Sequence, residues 1–256
     1  MTTTETRTVS AFSQWTSLTK AEFTLLRRNT MQVMYAIALP LAVPLMFTQM
    51  AKREGMGEFL GMFVALILAI GLTFVSYYNT LSAAVNRREE QVLTRLRAGE
   101  VGDGTILASL VSPGFFLGLI MSVGMFAVSI AVLDLPIPTN IPLLAACVIA
   151  TVVLFLLAGL ATTIFTRTAE SAQITSMPVI MLLTLGPGLI PMRNILNDTL
   201  TTVTEFIPTT AMADVMSIAW FGGDLADAGK PMAILVGWIV LTAMIVATKF
   251  RWSRRG

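Results

Sequence analysis

The stretch PLLAACVIATVVLFLLAGLATTIFT, Pro142–Thr166, decides the fold because it contains no charged residue. About 20 consecutive apolar residues are enough to cross the hydrocarbon core of a bilayer as a helix. Five other apolar runs of comparable length flank this stretch, so we predict an all-α, polytopic membrane protein with six transmembrane helices. The predicted spans are Met31–Met50, Phe59–Asn79, Thr105–Leu133, Ile141–Thr166, Ser171–Met192 and Pro231–Thr248.

The composition favours one membrane domain, residues 1–256. The chain is 55% hydrophobic and 12% charged, with a mean hydropathy of +0.78, whereas soluble domains carry about 25% charged residues. Histidine is absent and Cys147 is the only cysteine, which excludes histidine catalysis, an intrachain disulfide and a cysteine-built metal site. We divide the domain into an interfacial helix at 10–29, a six-helix region at 31–248 and a basic tail at 249–256, and expect no cleavable signal peptide.

The distribution of positive charge predicts the orientation. Thirteen of the 17 Lys and Arg residues fall in residues 1–28, in the loop 86–104, at Arg167 and in the tail 249–256. Positive residues favour the cytoplasmic side of a membrane. Both termini are therefore predicted to be cytoplasmic, which agrees with an even number of spans.

Residues 11–28 predict an amphipathic helix that lies on the membrane rather than through it. Its apolar and polar side chains separate onto opposite faces, with Trp15 at the depth of the lipid headgroups. Glu22 is the exception, because it falls inside the apolar face. Either Glu22 sits at the solvated rim of the helix, or it pairs with an arginine of the loop after span two, since a charge on that face needs a partner.

The loop NRREEQVLTRLRAGEVGDG, Asn86–Gly104, is highly charged but carries a small apolar stripe. Val92, Leu93 and Leu96 form that stripe, so the first two thirds of the loop predict a short amphipathic helix, which the following glycines end. The segment is either a solvated turn or a docking helix for a soluble partner.

The end of span two is unusually polar for a transmembrane helix. Polar groups at membrane depth need partners or water, so these side chains either make interhelical hydrogen bonds or line a wet cavity. They are Thr73, Ser76, Tyr77, Tyr78, Asn79, Thr80 and Ser82.

Span three carries small residues at four-residue spacing, namely Gly114, Gly118 and Ser122. Small residues at this spacing allow the backbone of another helix to approach closely. We interpret the series as a helix-packing surface.

The segment between spans five and six is too long for a simple turn and too apolar for a disordered loop. It predicts two short helices, about Asn194–Phe206 and Thr209–Ala219, which dip into the outer surface or lie on it. Irregular backbone at membrane depth survives only where protein or a water-filled cavity covers it. A structural lid is the simplest interpretation of the segment.

Two familiar chemical signatures are absent from the sequence. No GxxxxGK[ST] phosphate loop is present, so ATP hydrolysis by that chemistry is excluded. No charged residue lies in the middle of a predicted span, which argues against an ion-coupled carrier, because such carriers usually bury an ionisable group there.

Taken in order, these features resemble the ABC type-2 permease family, the membrane subunits of ATP-binding-cassette exporters. After span two the family carries an acidic residue followed by L-x-R-L-R/L. The family's outer segment has spaced prolines and a helix that ends in Gly-Gly. The matching residues here are Glu89, Glu90, Leu93, Arg95, Leu96, Arg97, Pro191, Pro208, Thr209, Thr210, Gly222 and Gly223. Gln91-Val92 and Ala98-Gly99 depart from the usual Gly-Thr and Thr-Pro.

The resemblance implies a complex in a bacterial cell membrane with a separate ATP-binding subunit, which holds ATP and magnesium, and a second permease copy, identical or different. It assigns Trp15 and Glu22 to a connecting helix that carries ATPase motion to span one. The implied coupling residues, which dock on the ATPase, are Arg87, Arg88, Glu89, Glu90, Leu93, Arg95, Leu96 and Arg97. The implied substrate path is lined by Thr73, Phe74, Tyr77, Tyr78, Met177, Met181 and Thr184.

The resulting hypothesis is a non-enzymatic membrane subunit of an exporter for small hydrophobic or amphipathic compounds, with drug or antibiotic efflux as the first choice. Aromatic and methionine side chains along the path suit apolar cargo. Export of a lipid, glycan or peptide is the alternative within the family. A sensor or assembly factor that does not transport, and an ion-coupled carrier, are the alternatives from other classes.

Overall fold

The computed structural model describes residues 10–28, 57–99, 101–190, 197–250 and 252, together with the single helical positions 30, 34, 38 and 42. A π-helical segment, Thr73–Tyr78, joins α2 to α3. The predicted first span, Met31–Met50, lies outside the described residues except for three of those single positions. The helices are α1 (Ala11–Arg28), α2 (Gly57–Leu72), α3 (Asn79–Glu89), α4 (Val92–Arg97), α5 (Asp103–Leu133), α6 (Ile141–Thr162), α7 (Ala169–Leu189), α8 (Asp198–Glu205), α9 (Pro208–Phe221) and α10 (Gly229–Lys249).

Within the described residues, five helical stretches are long and apolar enough to cross a membrane, and they correspond to predicted spans two to six. The helical character of these residues confirms the all-α prediction, while the first predicted span, and with it the count of six, stays a prediction. Span two is longer than predicted, because α2, the π segment and α3 form one stretch, Gly61–Glu89. The polar residues of α3 remain helical because that helix packs against α5, α6 and α7. The other four stretches are α5, α6, α7 and α10.

α6 lies at the centre of the described bundle. It contacts α3, α5, α9, α10 and the π segment, and Cys147, Phe155 and Leu154 are fully buried along it. Its sequence is apolar on every face, which is the pattern of a helix surrounded by protein or lipid. α10, in contrast, buries few of its residues and turns most of its apolar surface outward.

The small residues of α5 pack closely against the π segment, as the four-residue spacing predicts. The Ser76 hydroxyl donates a 3.0 Å hydrogen bond to the carbonyl of Gly114. A Cβ atom on Gly118 would lie 2.5 Å from the Ser76 hydroxyl oxygen and 3.2 Å from the Leu72 side chain. A larger residue at Gly118 would therefore displace the Ser76 side chain or separate the two helices.

α9 lies inside the bundle rather than on its surface. It packs against α2, α6, α7 and α10, and ten of its fourteen residues are buried. Beside α6, the Cys147 thiol lies 3.6 Å from the carbonyl of Met212. At the end of α9, the Trp220 indole donates a 2.8 Å hydrogen bond to the carbonyl of Pro136. The sequence predicted that this helix either dips into the outer surface or lies on it. In the structure it dips between the spans.

Candidate functional site

Most of the predicted coupling residues gather at one end of the bundle, which we call the basic end. It comprises the end of α3, α4, the turn 163–168 between α6 and α7, the start of α5 and Trp252. The predicted single helix in Asn86–Gly104 is two helices here, because Gln91 adopts a left-handed conformation with φ of 57°. A non-glycine residue in that region costs conformational energy, so the turn between α3 and α4 is set by their packing.

The apolar and charged residues of α4 face in opposite directions. Leu93 is 1% exposed, so the prediction that it contacts an ATPase is corrected: its side chain is part of the protein interior. Val92 and Leu96 are half-buried, whereas Glu90, Thr94, Arg95 and Arg97 are exposed. A partner that reaches α4 from outside therefore meets a charged surface.

Arg87 binds α1 and is not a free contact residue. Its guanidinium lies 2.9 Å from the carboxylate of Glu22, and both side chains are about one-fifth exposed. Two interpretations of Glu22 were open, a solvated rim position and a pair with an arginine after span two. The structure has the pair. The pair holds α1 against the end of α3.

The predicted headgroup residue Trp15 is also engaged by the bundle. Its indole donates a 3.2 Å hydrogen bond to the hydroxyl of Ser112 on α5. Farther along α1, the rings of Phe23 and Phe116 lie 6.1 Å apart. α1 therefore packs along α5 through much of its length.

Arg88 and Glu89 bind the turn between α6 and α7. The Arg88 guanidinium donates to the carbonyl of Thr163 at 3.0 Å and also to the carbonyl of Thr166. The Glu89 carboxylate accepts from the backbone N–H of Ala169, the first residue of α7, at 3.4 Å. These contacts match the helix dipoles, because cations stabilise carboxyl ends and anions stabilise amino ends.

The burial of Arg88 corrects its predicted role. The residue is 4% exposed, so its charge is satisfied inside the protein and is not available to a docking partner. The backbone carbonyls at the end of α6 need donors, because the last turn of a helix leaves them unpaired. Arg88 is therefore a positioning residue that joins span two to the α6–α7 turn.

Four of the polar residues of span two take one or the other of the two predicted roles. Tyr77 lies 3.3 Å from the Thr162 hydroxyl on α6, and Ser76 bonds α5, so these two make interhelical contacts. Asn79 and Ser82 instead line a cavity of about 220 Å³ between α1, α3 and α5. The other polar residues lining this cavity are Glu22, Asn86, Arg87 and Glu90.

The predicted substrate path is only partly exposed. Thr73 and Tyr77 are fully buried, so their predicted place on the path is corrected: Thr73 donates to the carbonyl of Ala69, and Tyr77 bonds α6 and α7. Tyr78 and Thr184 are half-buried. Phe74, Met177 and Met181 are 43%, 58% and 59% exposed, respectively.

The exposed methionines belong to a longer apolar stripe on α7 that the sequence analysis did not identify in full. Ile174 is 78% exposed and Leu185 is 49% exposed, and they extend the line of Met177 and Met181 at helical spacing. The spacing i, i+3, i+7, i+11 was the available signal. We call these four residues the α7 stripe.

A family model described as "ABC-2 family transporter protein" matches residues 4–248, which is nearly the whole chain. No curated protein sequence matches the chain. Within the described ranges, no group of three or more Asp, Glu and Cys residues is arranged to hold a metal ion.

Proposed function

Because the chain belongs to the ABC-2 family of transporter proteins, we propose that it exports small hydrophobic or amphipathic compounds, driven by a separate ATP-binding subunit. Family membership makes it a membrane transport subunit rather than an ATPase. The direction of transport and the class of cargo are proposals, and drug-like molecules are the first cargo to test.

The observation that carries the cargo class is the α7 stripe. Four large apolar side chains are exposed along one line of a candidate span, and α7 also contacts the π segment that bears Phe74. π-helical turns within α-helices are frequent at functional sites. Methionine is flexible and polarizable and so adapts to apolar ligands of different shapes. A second permease copy opposite this face would complete the path.

The basic end supports a route for coupling. α3 is tied to α1 by the Arg87–Glu22 pair, to the α6–α7 turn by Arg88 and Glu89, and to α4 by the turn at Gln91. A displacement of α4 by a docked ATPase is therefore passed to three other elements. α9, buried between four helices, is the proposed outer gate. We further propose that the basic end faces the cytoplasm of a bacterial cell, with both termini on the same side of the membrane.

The first test is purification of the tagged chain from its native membrane in mild detergent, followed by mass spectrometry and an ATPase assay. We expect an ATP-binding subunit to copurify and its turnover to rise with hydrophobic cargo. Recovery of the chain alone in several detergents contradicts the proposal and favours a sensor or assembly factor. Recovery of one or two kinds of permease distinguishes a homodimer from a heterodimer.

Direction is tested in inside-out vesicles that contain the purified complex. ATP-dependent accumulation of a fluorescent hydrophobic dye indicates export, and a hydrolysis-deficient ATP-binding subunit is the control. Uptake that persists with this control but stops when the ion gradient is dissipated contradicts the proposal and indicates an ion-coupled carrier.

A further inference from the structure

The segment after α10 folds back onto α4. The Thr94 hydroxyl donates a 3.3 Å hydrogen bond to the carbonyl of Trp252, and the Arg97 guanidinium lies 5.2 Å from the centre of the Trp252 ring. The ring of Phe250 also meets Trp252, edge-on at 5.1 Å. Two segments separated by more than 150 residues in the chain therefore form one surface.

Arg97 is held in position on that surface. Its guanidinium also pairs with the Asp103 carboxylate at 3.1 Å, at the start of α5. A guanidinium placed over an indole is attracted by the ring, and tryptophan is the best aromatic partner for a cation. Asp103, Arg97 and Trp252 thus form a continuous line across the basic end, and Trp252 remains partly exposed.

This surface supplies the apolar anchor that α4 lacks. Leu93 is buried, so α4 itself presents mainly Thr94, Arg95 and Arg97 to the outside. Tryptophan and arginine are the residues most enriched among those that dominate the energy of protein–protein interfaces. Trp252 and Arg97, which lie side by side, are therefore the residue types expected at the centre of a docking surface.

The charge of the surface indicates the chemistry of the partner. Arg95, Arg97 and Lys249 are exposed, and the sequence adds Arg251, Arg254 and Arg255 next to Trp252. The acidic groups are fewer: Glu90 and Asp103 are exposed among the described residues, and the sequence adds Glu100. The surface is therefore complementary to an acidic face, and such complementarity speeds association and selects partners.

We propose that Phe250 and Trp252 join α4 in one composite docking surface, anchored by Trp252, for an acidic face of the ATP-binding subunit. This inference rests on the proposed function and adds which residues bind that subunit.

An anionic membrane surface is the competing partner for a basic segment. Two observations favour the ATP-binding subunit. Trp252 is bonded to α4 instead of being released toward lipid, and α4 is the link between two candidate spans, so it lies at the extreme end of the bundle.

The test measures the affinity of the copurified ATP-binding subunit for the chain in nanodiscs of zwitterionic lipid. We expect Trp252→Ala to weaken binding at least about tenfold, the loss typical of an interface anchor, and Trp252→Phe to retain part of it. Phe206→Ala, which removes an exposed aromatic ring (57% exposed) near the opposite end of α10, is the matched control and should leave the affinity unchanged.

A photo-crosslinker separates direct contact from an indirect effect on α4. Benzoylphenylalanine in place of Trp252 should form an adduct with an acidic region of the ATP-binding subunit. Normal affinity of the Trp252→Ala variant, or the absence of an adduct, overturns the composite surface. Binding of the ATP-binding subunit by the unaltered chain would then still support the proposed function. If the unaltered chain does not bind the subunit at all, both proposals fail. Weaker binding by Trp252→Ala only in nanodiscs with anionic lipid assigns the segment to the membrane instead.

Discussion

At the scale of single residues, Arg88 is the clearest case of a charge that serves structure. Arg88→Ala leaves the carbonyls of Thr163 and Thr166 without their charged donor. We expect a loss of about 1–3 kcal/mol in the free energy of unfolding, because unsatisfied buried polar groups carry that cost. Thermal denaturation of the purified chain in detergent measures the change.

Arg95→Ala is the control for this prediction, because Arg95 lies on the exposed face of α4. It should leave the denaturation temperature unchanged and weaken binding of the ATP-binding subunit. A stable Arg88→Ala protein that no longer binds the subunit would contradict this prediction. It would indicate that Arg88 contacts the ATP-binding subunit.

The Glu22–Arg87 pair tests whether α1 takes part in coupling. Each side chain is about one-fifth exposed, and partly exposed pairs contribute up to about 1 kcal/mol. Glu22→Arg and Arg87→Glu should each reduce cargo-stimulated ATP hydrolysis, since each places like charges together. The double exchange should restore part of it, as a double-mutant cycle of interacting residues requires.

If the double exchange is no better than the worse single variant, the pair is a local contact without a role in coupling. Lys20→Glu, a charge change on the exposed face of the same helix, is the control and should leave stimulation intact.

At the scale of helices, glycine permits a close approach of backbone to backbone between α6 and the π segment. A Cβ atom on Gly159 would lie 2.6 Å from the backbone carbonyl of Tyr77. Backbone cannot move aside as a flexible side chain does, so Gly159→Ala should destabilise the protein by about 1–3 kcal/mol, as overpacking does. Denaturation in detergent tests this prediction.

Gly188→Ala in α7 is the matched control, because nothing lies within 4 Å of its added Cβ. Alanine is the better helix former, so this variant should be neutral or slightly more stable. Equal destabilisation by both substitutions would mean that glycine matters here for another reason than close packing.

Most helices were predictable because their signals are local. The charge-free run in α6 and the glycine spacing in α5 required no knowledge of neighbours. The division of Asn86–Gly104 into two helices was not predictable, since nothing in its pattern marks Gln91 for a left-handed turn. The burial of Leu93 was not predicted for a related reason. An apolar residue on a short helix can pack against either a partner or the protein's own interior.

At the scale of the whole molecule, long-range pairs decide which polar residues remain available. Sequence patterns identified the charged loop, α1 and the polar end of span two as candidate functional segments. They did not reveal that Tyr77 reaches α6, or that Trp252 returns to Thr94. These contacts join positions far apart in the chain, and such pairs leave no periodic signal in one sequence.

The cargo path is tested by comparing two exposed methionines on different faces of the molecule. Met181 lies on the α7 stripe, and Met244 lies on α10 with a similar exposure, 59% against 55%. If the α7 stripe contacts cargo, Met181→Ala should change the relative transport of bulky and small hydrophobic dyes while leaving ATP hydrolysis without cargo unchanged. Met244→Ala removes the same side chain from a different face and should leave transport unaltered.

Phe74→Ala is expected to act as Met181→Ala does, because the π segment contacts α7. Tyr77→Ala differs, because that ring is fully buried and bonded to α6 and α7. It should lower stability before it alters cargo preference. Transport of every dye at normal relative rates by both Phe74→Ala and Met181→Ala would exclude the α7 stripe as the cargo surface, and the lining would then have to be sought on another face of the bundle.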